Sequence, residues 1–195
     1  MRALLIILAF LLTSCMPLKA INEDQYTNFE YDKFYIPYSE MEKGNTEAST
    51  LCKIDSSCAS ASVSIILNNR FEVKLSEVEV WSGLFQKGVS DEIKRRNGFS
   101  LLDIKQYLES EGYQADGFSL TKKDFIAMFE KLDNDDPFPV VIPVSYIDVK
   151  RYVVLVGGDT TYAYIHDPAF GRYKIKHHDF FNIIDTKVIL VISEK

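Results

Sequence analysis

Between Ala59 and Leu132 the apolar residues of this chain recur every three or four positions, and after Asp133 they run in short extended blocks. That change of period divides the chain into a helical part and a strand part. The small residues Ala59 to Ser62, followed by Val63, Ile66 and Leu67, predict a first helix with one apolar face that can press closely against its cover. Ser76 and Glu79 form a capping box, and Val78, Trp81, Leu84 and Phe85 are expected on one face behind it. Ser100 can cap a third helix, which carries Leu101, Ile104 and Leu108 and stops at Gly112. Thr121 opens a fourth, where Phe125, Met128, Phe129 and Leu132 follow the i, i+3, i+4, i+7 pattern. Asp133 to Pro137 reads as a turn. Beyond it FPVVIPVSY, YVVLVG, TYAYIH, RYKIK and KVILVIS are separated by turn signals such as Gly157, Gly158 and Asp159. A helical N-terminal half packed on an antiparallel C-terminal sheet is an α+β domain, a fold that sets helix-borne groups against strand-borne groups across a cleft.

The N-terminal quarter follows a different pattern. Residues 1–20 begin with one basic residue, Arg2, before an apolar run from Ala3 to Leu12 and small residues before Cys15. This is a secretory signal, too short for a stable membrane span. Its end, Leu12-Thr13-Ser14-Cys15, resembles a bacterial lipobox. The resemblance implies removal of residues 1–14, lipidation of Cys15 and tethering to a membrane, with Met16 after the cysteine favouring the outer membrane. Ordinary cleavage near Ala20 without lipid is the alternative. Residues 16–44 are polar, acidic and rich in Tyr and Phe. They read as a tether with a short strand around Phe34 to Pro37, its aromatics packing onto the body at 45–195.

Composition narrows the partners. The formal charge is −6, one unit more negative once Arg2 is removed. That balance argues against nucleic acid and supplies no basic patch for anionic lipid, so membrane contact is expected from the anchor alone. No stripe calls for a cofactor or a metal.

The residue with chemical promise is Cys58. It follows the polar loop Asp55-Ser56-Ser57 and opens the first helix, where the positive end of the helix dipole favours thiolate over thiol. A buried core cysteine is the competing reading, because free cysteine is among the most buried residue types.

Several segments taken together resemble the C39-like peptidases, papain-like cysteine peptidases that include the double-glycine leader peptidases. They are the polar loop with Cys58 and its small-residue helix, SEVEVWSGLF, GFSLLDIKQYLESEGYQADGF, RYVVLVGG and IHDPAFG, in that order over residues 45 to 192. The resemblance implies a papain-like fold with Cys58 at the nucleophile position and Asp167 as the residue that orients the general base. It also implies two departures. The position of the general-base histidine holds Arg151, and that of the oxyanion-hole glutamine holds Cys52. Ala59 also replaces the glycine usual after the nucleophile.

These departures matter chemically. Cysteine-dependent peptide hydrolysis needs a group that accepts the thiol proton and returns one to the leaving amine. Histidine does both near neutrality. Arginine, with a pKa above about 12, does neither. Loss of the oxyanion donor costs a further factor of about 100 to 1000 in rate. Among the histidines, His166 adjoins Asp167 but alternation points it to the opposite face, and His177 and His178 read as surface residues of a polar connection. Cys52 and Cys58 could form a disulfide in an oxidising compartment, although a cysteine in place of a long glutamine argues for Cα atoms beyond the ~7 Å that a disulfide spans. The spacing is not C-x-x-C, which weakens a redox role.

The resulting expectation is an envelope lipoprotein, on the outer membrane or free in the periplasm, with a degenerate peptidase centre that binds an extended peptide or protein partner. The alternative is an active cysteine peptidase that cleaves leader-type double-glycine peptides, with His166 recruited or Arg151 displaced from the histidine position.

Overall fold

The helix signals act where the sequence puts them. In a computed structural model, which describes residues 27–29, 52, 58–96, 98–131, 139–146 and 149–194, the capping box of Ser76 and Glu79 opens one helix. The Glu79 backbone N–H donates to Ser76 Oγ, and the Glu79 carboxylate accepts from the Ser76 backbone N–H at 2.7 Å. Ser100 opens another in the same way with Asp103 as its partner. The helices are α1 (Ala59–Arg70), α2 (Glu77–Lys87), α3 (Ser90–Arg96), α4 (Leu101–Ser110), α5 (Lys122–Lys131) and α6 (His177–Ile183). α4 ends in a turn at Gly112, whose φ of 96° favours glycine.

The strands are β1 (Thr27–Phe29), β2 (Tyr113–Ser119), β3 (Val140–Tyr146), β4 (Val149–Gly158), β5 (Tyr162–Asp167), β6 (Gly171–Lys176) and β7 (Val188–Glu194). They form one sheet in the order β1-β6-β5-β4-β3-β7-β2. Every pairing is antiparallel except β1 with β6, which is parallel.

The sheet has a core on each face. On one side Ala59, Val63 and Ile66 of α1, Val80 and Leu84 of α2, and Ile104 and Leu108 of α4 pack against Val141, Tyr152, Val154, Leu190 and Ile192. On the other, Phe125 and Phe129 of α5 and Phe180 and Ile183 of α6 pack against Ile142, Val153, Leu155, Ile165, Ile175 and Ile189. Burial on both faces is why β3, β4 and β7 read as continuous apolar runs rather than alternating ones. Gly158 lets α5 approach, because a Cβ there would overlap the Phe129 ring.

Three local expectations change. Val78 is 61% exposed, and Val80 is the buried valine of α2, because the N-cap fixes the helix phase and turns position 80 to the sheet with Leu84. The helical half is interrupted by β2, which pairs with β7 at the sheet edge. The polar stretch after β6 is helix α6, and it buries His177: the ring stacks on Phe129 with centroids 4.0 Å apart. His177 is therefore not a surface residue, whereas His178 is exposed. The strand read at Phe34 to Pro37, the turn at Asp133 to Pro137 and Leu132 lie outside the described residues, as do the signal and Cys15.

Replacing Val80 with Ala is expected to lower unfolding free energy by about 2 kcal/mol through the cavity it leaves. Val78→Ala should stay within about 0.5 kcal/mol. Urea denaturation of the two variants beside the native chain reads the difference.

Candidate active site

Cys58 is the N-cap of α1 and holds a left-handed conformation, φ 56° and ψ 21°, uncommon for a residue other than glycine. Its carbonyl accepts the Ser62 N–H at 3.0 Å, and the residue is 3% exposed. The first turn carries no acidic residue of its own, and the buried Glu77 carboxylate of α2 accepts the Ser60 hydroxyl beside it at 3.4 Å. Cys58 thus heads a helix and is buried.

Its sulfur is bonded to that of Cys52, which is half-buried. The two Cα atoms lie 5.0 Å apart, inside the span a disulfide requires. The expectation of too wide a gap fails because it rested on the side-chain length a glutamine would need, which does not fix the separation of the Cα atoms.

Arg151 and Asp167 form a second pair. Both project from the sheet face that carries Val153 and Ile165, by alternation along β4 and β5. The Arg151 guanidinium lies 4.5 Å from the centroid of the Phe170 ring, a cation–π contact. Asp167 is fully buried, and its Oδ1 accepts the Ala169 N–H at 2.7 Å and the Phe170 N–H at 3.2 Å. Its Oδ2 is buried without a hydrogen-bond partner. Burial pushes the Asp167 carboxyl up to about 6, against the downward pull of the two backbone N–H groups and the Arg151 charge. This carboxyl is therefore half-protonated near pH 6 and mostly ionised at pH 7.

The two pairs are connected through α1. Ser62, one turn after Cys58, donates its hydroxyl to the Tyr152 carbonyl at 2.9 Å, which fixes the helix head against the residue next to Arg151. Sequence reasoning missed this tie and the Phe170 stack. The signals were present in a serine within the small-residue run and an aromatic inside IHDPAFG. His166 is 2% exposed and pairs with Val154 across β4 and β5, so it belongs to the face on which α1 packs, opposite Asp167. Among the described residues no group of three or more His, Cys, Asp or Glu is gathered to hold a metal, and no helix is long and apolar enough to cross a membrane.

The family model for the peptidase C39 family matches residues 47–195. The chain belongs to the peptidase C39 family. Two relatives are each described as a probable functional amyloid protease, FapD: one from Pseudomonas fluorescens, 30% identical over 142 residues, and one from Pseudomonas aeruginosa, 32% identical over 142 residues. Each match covers 73% of this chain and 59% of the relative, so the chain spans about three fifths of their length. Among solved structures, a double glycine motif protease from an AMS/PCAT transporter, crystallised with its leader peptide, is 25% identical with a TM-score of 0.53 over 73% of this chain and 87% of that one. The peptidase domain of Streptococcus ComA superposes with a TM-score of 0.56 at 14% identity, covering 74% of this chain and 97% of that one, a likeness of fold. The C39 domain here is accordingly α+β and papain-like.

The Asp167 shift has a definite sign. A carboxyl that titrates near 6 when folded, against its ordinary 3.8, stabilises the fold fully below about pH 4 and loses that contribution as pH rises through 6. Relative to Asp167→Asn, the native chain is expected to lose on the order of 3 kcal/mol between about pH 4 and pH 7, measured by denaturant titration at both ends. Arg151→Met should move the Asp167 midpoint further up, as read by carboxyl carbon NMR.

Proposed function

We propose that this C39 family member is a lipid-anchored envelope protein that binds an extended peptide or protein partner, with an impaired peptidase centre. The observation that carries the reading is Arg151 beside Asp167. In the C39 pattern that strand position holds the general base, and a guanidinium cannot take up and return a proton at working pH. Cys52 at the oxyanion position removes a second element, and its bond to Cys58 occupies the sulfur that would attack. Binding of an extended segment depends on strand edges and side-chain pockets rather than on proton transfer, so it survives these losses. The class of partner is drawn from the similar proteins, one of which was crystallised with a leader peptide. The anchor rests on the lipobox-like sequence ending at Cys15, and the outer membrane or periplasm follows from it.

A second reading has one specific observation behind it. His166 shares its sheet face with Tyr152 and Val154, against which α1 packs, so an imidazole lies on the side of the sheet that carries Cys58. In that reading the chain is a working cysteine peptidase with His166 as base, in keeping with the relatives described as proteases.

Leader-type double-glycine peptides incubated with the reduced full chain are expected to bind and remain intact. Cys58→Ala should leave that binding unchanged. The double variant Cys52→Gln with Arg151→His should gain turnover that Cys58→Ala then abolishes. Turnover by the native chain that disappears in both Cys58→Ala and His166→Ala would replace the first reading with the second.

A further inference from the structure

The Cys52–Cys58 bond is asymmetric, and its asymmetry has chemical content. Cys58 is buried at the head of a twelve-residue helix with no acidic residue of its own in the first turn, where the charged group facing in from α2 is Glu77, held by the Ser60 hydroxyl. Cys52 is half-buried and open to solvent in part. In thiol–disulfide exchange the incoming thiolate attacks the more accessible sulfur, and the sulfur that leaves best is the one most stable as an anion. A helix N-terminus stabilises a thiolate. Access therefore selects Cys52 as the sulfur attacked, and the helix selects Cys58 as the sulfur expelled.

The bond is also placed where it can open without loss of the fold. It joins residues six apart, and a short loop restrains the unfolded chain less than a long one does. The two apolar cores on either face of the sheet are built without Cys52.

We infer that Cys52 and Cys58 form a thiol–disulfide exchange site that takes a dithiol reductant, with Cys52 as the point of attack and Cys58 as the leaving thiolate. A thiolate of the reductant bonds to Cys52 Sγ, the Cys52–Cys58 bond breaks, and its electron pair departs on Cys58. The second thiol of the reductant, as thiolate, attacks its own sulfur in the mixed disulfide and releases Cys52, which takes up a proton. Two electrons pass from the dithiol to the pair, and the reductant leaves as its own disulfide. The oxidised chain keeps the nucleophile position capped, and the reduced chain presents a thiolate at the helix head. This inference rests on the C39 reading of Cys58 for its meaning, but its chemistry does not depend on whether a peptide is cleaved.

The test uses the full chain, folded and isolated without reductant, with thiols mapped residue by residue by alkylation and peptide mass spectrometry. Cys52 and Cys58 should both resist alkylation until dithiothreitol is added, and both should then react while circular dichroism keeps its native signal. Alkylation of reduced Cys58 should be half-maximal below the ~8.5 of a free cysteine. A dithiol reductant protein stripped of its second cysteine should be trapped as an adduct on Cys52. An adduct on Cys58, free thiols before reduction, or a bond that opens only in denaturant would each overturn the proposal. Peptide turnover, measured on the same reduced sample, bears on the impaired-centre reading alone, so the two can fail separately.

Discussion

Strand β4 lies between two cores, and its alternate residues serve them in turn. Tyr152 and Val154 meet the helices α1, α2 and α4, and Val153 and Leu155 meet α5 and α6. A slip of one residue would exchange the two sets and strand both cores, so the register of this strand is fixed by burial on both faces. Arg151 sits one residue before that run, and its position is fixed with it. The hydrogen bond from Ser62 to the Tyr152 carbonyl then sets the head of α1 against the same strand. The candidate site thus inherits its geometry from packing that does no chemistry.

That separation lets a C39 domain keep its fold independently of the residues at its candidate centre. The side chains that hold the frame are apolar residues and one serine, and neither Cys52 nor Arg151 belongs to either core. Arg151 is accommodated by the Phe170 ring and by the charge of Asp167. Cys52 is accommodated by bonding to Cys58. Each of the two finds a local partner.

Much of this was legible in the sequence where a local rule decides the outcome. The capping serines at 76 and 100 placed two helices, and the apolar blocks placed five strands, because caps and periodicity act over a few residues. Val78 was misassigned because one helical window does not show which of two valines meets the sheet. β2 was missed because its partner β7 lies some seventy residues further on, and α6 because its polar residues His177, His178 and Asp179 hide a buried stripe of Phe180 and Ile183. At the site, the order of motifs pointed to Cys58, Arg151 and Asp167; Arg151 and Asp167 share one sheet face, and α1, which Cys58 heads, packs on the other. The disulfide was not legible, since a spacing of six does not fix how far apart two Cα atoms lie.

The Asp167 carboxyl gives the wall of the site a charge that is set by a proton. Arg151 keeps its positive charge at every working pH, whereas Asp167 passes from neutral to negative around 6. Above that value the two side chains cancel. Below it the pair carries a net positive charge in a largely dry setting, where Coulomb forces are strong. Mild acidification therefore leaves the Arg151 charge without its counter-charge, and a rise in pH restores it.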